Sequence, residues 1–168
     1  MTILVTGGCG FIGSHFVLDY LQHSPIVNLD KLSYAANPDN LHAVQEHPNY
    51  CFIQADVADE KALATVFAQH AISAIVHFAA DTHVDRAIDE AMPFVHNNVQ
   101  GTVALLKQAQ AYYDALPAKE QAAFRFLYVS SDEVYGSLSP EALPFIESDP
   151  VQARNPYSAS KAAAEQFV

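Results

Sequence analysis

The sequence predicts an α/β domain built on a doubly wound parallel sheet. Three observations lead there. Short apolar runs recur along the chain with helical stretches between them. The runs are apolar at successive positions rather than alternating, as strands covered on both faces are. A glycine-rich turn, "TGGCGFIGS", follows the first run and opens the first helical stretch. Strand alternating with helix implies right-handed crossovers and a sheet with helices on both faces.

The first strand is "TILVT" (2–6), followed by a helix over 13–22. "PIVNLD" (25–30) is the second strand and leads to a helix over 38–46. "YCFIQA" (50–55) is the third, before a helix over 59–69. "SAIVHFAA" (73–80) is the fourth, and a long helix over 94–115 carries "VALLKQAQAYY", whose apolar face reads as core. "FRFLYVS" (124–130) is the fifth, and all five read as fully buried. The Pro-spaced stretch 137–156 is the one long irregular region, and such loops are commonly functional. The last helix begins near 157 and its pattern runs to Val168 without a stop signal. The expectation is one domain, 1–168, cut off in its last helix, the N-terminal part of a longer protein.

Composition narrows the function. At 168 residues and 51% hydrophobic, the chain can bury the core of one domain. Eight Lys+Arg against 19 Asp+Glu give a net charge of −11 with no basic run, which argues against nucleic acid and anionic membrane as partners. The longest nearly apolar run, "AISAIVHFAA", is too short to span a bilayer. Two cysteines, Cys9 and Cys51, without metal spacing fit a reducing, cytoplasmic setting. His77, His83 and His96 match no ligand pattern and read as ordinary hydrogen-bonded histidines.

The glycine turn points to a dinucleotide. Gly8, Gly10 and Gly13 satisfy G-x-G-x-x-G, and Gly7, Gly10 and Gly13 satisfy a three-residue spacing. Glycines there permit a tight turn, close approach of a pyrophosphate and close helix–strand packing. The helix N-terminus adds free N–H groups and partial positive charge. Asp30 ends the second strand, where a carboxylate accepts both ribose hydroxyls and repels a 2′-phosphate, so NAD is expected over NADP. For Asp56 two readings stand: with Val57 it meets the adenine edge, or it caps the next helix.

"NPYSASKAAAE" sets Tyr157 and Lys161 one helical turn apart, with Pro156 at a first-turn position. An ammonium beside a phenol lowers the phenol's pKa toward that of a usable base, and the same lysine can hold a ribose hydroxyl. Alone, this pair would read as surface; after a dinucleotide turn it reads as functional.

These stretches, with "NLDKLSYAAN", "HFAADTHVDRAI", "NNVQGT" and "VSSDEVYG", resemble the extended short-chain dehydrogenase/reductase family, and within it the nucleotide-sugar 4,6-dehydratases. The resemblance spans almost the whole chain. It implies a Rossmann-like NAD-binding domain, dTDP-glucose as substrate and a homodimer formed through a helix bundle. It makes Tyr157 the base at the C4 hydroxyl, supported by Lys161 and Ser131, with Asp132 as general acid and Glu133 as general base. It assigns Gly7, Gly10, Phe11, Ile12, Gly13, Asp30, Lys31, Ser33, Asp56, Val57, Ala79, Ala80, Asn98, Tyr157 and Lys161 to NAD. Thr82, Ser131, Asp132 and Glu133 are assigned to the sugar. Asp81 and Thr82 stand where the family usually has Glu-Ser, Ser131 where it has Thr, Ala87 where it has Ser, and Ala36 where it has Gly. Family members also continue into a C-terminal substrate domain, so these 168 residues alone are expected to lack turnover.

Adjacent Asp132 and Glu133 fit elimination of water across C5 and C6, with mutual repulsion keeping one acid protonated. The plainer alternative is that Asp132 caps a turn while Glu133 is solvated. A sugar-nucleotide 4-epimerase of the same fold would use Tyr157 and Lys161 but not the two acids. A non-catalytic NAD-binding remnant is the other alternative.

Overall fold

A computed structural model describes residues 2–168. Five strands, β1 (Thr2–Thr6), β2 (Ile26–Asp30), β3 (Tyr50–Gln54), β4 (Ile72–His77) and β5 (Arg125–Tyr128), form one parallel sheet in the order β3-β2-β1-β4-β5. The strand order reverses at β1, so the connections leaving the C-terminal ends of β1 and β4 run to opposite faces of the sheet. A crevice opens there, where doubly wound sheets receive ligands. Thr6 pairs with Leu29 on one side and His77 on the other, which brings three strand ends together at that crevice.

Successive residues of each central strand point to opposite faces, and both faces are covered. Leu4, Leu29 and Ile75 pack under α2 (Glu60–Gln69) and the later helix α5 (Gly101–Ala115), against Leu63, Val66 and Leu105. Ile3, Val5 and Val76 pack on the other face with Val17 of α1 (Phe11–Tyr20). The remaining helices are α3 (Val84–Asp89), α4 (Met92–Phe94), α6 (Ala118–Ala123) and α7 (Pro156–Glu165).

Several expectations change. Only the inner strands are buried: β2 is buried throughout, whereas β3 and β5 alternate with exposed residues, and Leu127 is 55% exposed. They are the two edge strands of this sheet, and an edge lacks a neighbour on one side. The segment over 38–46 is a 3₁₀ helix, Pro38–Val44, with Asn37 as its cap and Pro38 at its first position. The long helix over 94–115 is broken: α4 passes into a π-helical turn, Val95–Gln100, before α5. That wider turn lets the consecutive residues Asn97 and Asn98 both be buried. The last helix ends at Glu165, with Gln166 as C-cap, rather than running to Val168.

Candidate active site

A cavity of about 430 Å³ lies at the crevice. Its wall is the glycine turn. Gly7 has φ +73°, and a Cβ there would sit 2.6 Å from the Ala79 backbone N. A Cβ on Gly13 would sit 2.3 Å from the Gly7 carbonyl. The turn thus packs closely on β4 and α1, and only glycine allows it. Gly10 precedes α1 without a side-chain cap, so the first-turn N–H groups face the cavity unclaimed by a capping side chain. Gly10, Phe11, Ile12 and Gly13 all line it.

Asp30 is held in place at the end of β2. Cys9 N–H donates to its Oδ2 at 2.9 Å, and Leu32 N–H donates to its Oδ1 at 2.8 Å. Leu32 itself adopts φ +59°, a conformation costing about 1–2 kcal/mol for an L-residue. Each carboxylate oxygen keeps a further acceptor site. Burial first, then the Asp30 charge, pushes the Cys9 thiol up to about 11, so it is a neutral packing group.

Lys31, Ser33, Val57, Ala79, Ala80 and Thr82 also line the cavity. Asp56 does not. Its Oδ1 accepts the Ala58 N–H and its Oδ2 pairs with Lys31 at 3.4 Å, while Asp59, not Asp56, caps α2. Asn98 does not line it either. It accepts from the Asp81 N–H at 2.8 Å and donates to the Asp81 carbonyl and to Ser160 Oγ, so it brackets the end of β4 against α7. Its neighbour Asn97 takes the place in the cavity, bridging the Lys31 ammonium to the Asp81 carboxylate. Sequence reasoning missed Asn97 as a lining group, its one signal being adjacency to Asn98, whereas Asp81 lines the cavity beside Thr82 at a position the family resemblance puts near cofactor and sugar. Val129 and Ser130, just before the chosen acids, were missed in the same way.

Asn155 caps α7 in a reciprocal box with Ser158, and Pro156 opens the helix. This sets Tyr157 and Lys161 into the far side of the cavity, both buried. The expected effect of the lysine on the phenol is not what this geometry gives. Lys161 Nζ donates to the Val129 carbonyl at 2.6 Å and sits 4.1 Å from the Tyr128 ring centre. Burial lowers its pKa to about 8. The Tyr157 phenol is pushed above its ordinary value, by burial first, with Glu133 and Asp132 adding and the Ser131 hydroxyl opposing.

Ser131, Asp132 and Glu133 do not line this cavity. Ser131 caps a 3₁₀ turn, Asp132–Tyr135, by accepting the Glu133 N–H, so the capping role falls to Ser131 and not to Asp132. Glu133 Oε2 accepts from Asn155 Nδ2 at 2.9 Å. Ser131 and Asp132 line a second, more open depression along the free edge of β5, and Ser130 lines both spaces. Asp132 therefore faces the second space and Glu133 lines neither, while the charges of both act on the Tyr157 phenol. His77 lies beneath, fully buried between Thr6 and Thr102 hydroxyls, with burial lowering its pKa to about 3. Among the described residues no cluster of metal-ligating side chains occurs, and no helix is long and apolar enough to cross a membrane.

Residues 4–168 match the sequence pattern of a family described as GDP-mannose 4,6 dehydratase. The chain is 47% identical over 168 residues to a dTDP-glucose 4,6-dehydratase of Neisseria gonorrhoeae, covering 99% of this chain and 49% of that protein. It superposes with TM-score 0.85 and 42% identity on DesIV, a dTDP-glucose 4,6-dehydratase of Streptomyces venezuelae crystallised with NAD and TYD, covering 99% of this chain and 50% of that one. A UDP-glucose 4-epimerase of Thermus thermophilus in complex with NAD superposes with TM-score 0.84 at 28% identity, covering 99% and 49%. The chain spans about half the length of the curated relatives it matches.

Proposed function

The chain belongs to the GDP-mannose 4,6-dehydratase family, and from that premise we propose that its activity is NAD-dependent 4,6-dehydration of a nucleotide-sugar, with dTDP-glucose as substrate. The two acids whose charges act on the Tyr157 phenol, Asp132 on the second open space and Glu133 bound to the α7 cap at Asn155, carry this reading. A 4-epimerase of the same fold has no use for two acids there, and the identities favour the dehydratases.

The glycine cradle, the Asp30 carboxylate and the unclaimed N–H groups of α1 fit NAD. Gly7, Gly10, Phe11, Ile12 and Gly13 would receive its pyrophosphate. Asp30 would take the adenosine ribose, with Lys31, Ser33 and Val57 around the adenosine. Ala79 and Ala80 would face the nicotinamide half, and Lys161 its ribose. Bound NAD supplies a hydride acceptor for C4 and a donor for C6. The chain's own residues move the protons. Tyr157, as its phenolate, takes the C4 hydroxyl proton, and the Ser131 hydroxyl favours that charged form. A ketone at C4 acidifies the C5 hydrogen, which Glu133 removes. Asp132 protonates the C6 hydroxyl as it leaves as water. Thr82 would orient the sugar. Asp56 acts through Lys31, and Asn98 through Asp81 and Ser160.

The reading extends to a cytoplasmic homodimer. Both cysteines are free thiols. Ile88, Met92, Val95 and Val103 are exposed apolar residues on successive helical segments, the kind of surface a helix bundle covers.

Titration calorimetry tests the cofactor. The chain is expected to bind NAD in preference to NADP. Asp30→Ala should weaken NAD by roughly 10- to 100-fold, the worth of hydrogen bonds to a charged group, and abolish the preference. Equal affinity of the unaltered chain for both cofactors would sink the assignment.

A further inference from the structure

The dinucleotide motif accounts for Gly7 and Asp30 but not for Asn28. This residue is the middle of the five in β2 and is fully buried. The layer around it contains Val5, Cys9, Val17 and Ile26, where a carboxamide is costlier to bury than a leucine. Its Nδ2 donates to the Tyr50 hydroxyl at 2.9 Å and to Cys9 Sγ at 3.5 Å. Its Oδ1 has no hydrogen-bond partner among the described residues. That oxygen presses instead on the glycine turn: a Cβ built on Gly8 would lie 2.2 Å from it. The amide fills the space a side chain at position 8 would need. It also touches the thiol of Cys9, whose N–H holds Asp30.

We propose that Asn28 is a positioning residue for the cofactor. Anchored by the Tyr50 hydroxyl, it clamps Gly8 and Cys9 from beneath and, through the Cys9 N–H, fixes the Asp30 carboxylate. A leucine would fill the volume and spare the desolvation, but it could not tie the turn to β3. The inference rests on the NAD reading above.

The test is Asn28→Leu, measured three ways. Thermal stability should hold or rise. NAD affinity should fall about tenfold, as loss of one well-made polar contact does, and the NAD-to-NADP preference should narrow with it. Hydrogen exchange at the Cys9 amide, read by NMR without ligand, should accelerate by a similar factor. A variant with unchanged affinity and unchanged Cys9 exchange overturns the proposal. So does one that loses stability while keeping the cofactor ratio, since that is what a merely structural amide would do. If Asn28→Leu does not fold, Tyr50→Phe removes only the anchoring hydroxyl. It should shift all the ligand and exchange readings in the same direction, and no shift overturns the proposal. If the unaltered chain does not bind NAD, the cofactor reading fails. The Cys9 exchange then decides the clamp alone, faster exchange upholding it and unchanged exchange ending it.

Discussion

Lys161→Met is expected to stabilise the chain at pH 7 by about 1 kcal/mol while weakening its hold on NAD. Burial lowers the lysine pKa from 10.5 to about 8, which Glu165 only partly opposes. At about 1.4 kcal/mol per pKa unit, keeping the ammonium charged inside the fold costs on the order of 3 kcal/mol. Methionine removes that cost and gives up the bond from the charged ammonium to the Val129 carbonyl, worth about 1.5–3 kcal/mol. Linkage fixes the sign. The folded pKa lies below the unfolded one, so the unfolded chain binds more protons between about pH 8 and 10.5. Stability therefore climbs with pH across that window. Cys9, Tyr50, Tyr128 and Tyr157 are pushed above their ordinary values, so their ionisation in the unfolded chain limits the climb from about pH 9 upward. Urea denaturation at pH 7 and 9.5 reads both effects. The unaltered chain should gain stability between the two and the methionine variant should not. A methionine variant less stable at pH 7 would show that the buried ammonium is a net structural asset. The expected result would make it a charge kept for function at the expense of stability.

The same residue illustrates what was legible in the sequence. The i, i+4 spacing of Tyr157 and Lys161 put both on one face of a helix, and Asn155 and Pro156 fix where that helix begins. Spacing says nothing about how deep the face is buried or which carbonyl the ammonium meets. The shift of the phenol therefore came out opposite to expectation. The sheet was legible because β1, β2 and β4 are apolar on both faces. Edge position was not: "FRFLYV" has the composition of an inner strand, and Leu127 is exposed only because no sixth strand lies beside β5 among the described residues. The π turn was hidden for another reason. The wider turn carries no composition signal in "VHNNVQ", so nothing in the sequence told that Asn97 lines the cavity while Asn98 brackets Asp81.

Glu133→Gln is expected to separate the chemical steps. The setting is a chimera joining residues 1–168 to the second half of the Neisseria gonorrhoeae relative, since the chain spans about half of that protein. Exchange of the C5 hydrogen with solvent should fall by ~10²–10⁴, the usual contribution of a positioned general base. Oxidation at C4, followed at 340 nm, should stay within about tenfold, because Tyr157 and not Glu133 takes that proton. Glutamine suits the test on structural grounds. Its carbonyl still accepts from Asn155 Nδ2, as Glu133 Oε2 does, so the cap of α7 and the setting of Tyr157 are preserved. What disappears is the ability to take a proton. Asp132→Asn is the counterpart: C5 exchange should continue while loss of water slows, because an amide cannot protonate a leaving hydroxyl. Normal C5 exchange in Glu133→Gln would remove this residue from the base role. Collapse of C4 oxidation together with exchange would mean that Glu133 acts chiefly on the Tyr157 phenol it already pushes upward. The two acids would then serve the oxidation, and nothing in the site would distinguish a dehydratase from the epimerases that share its fold.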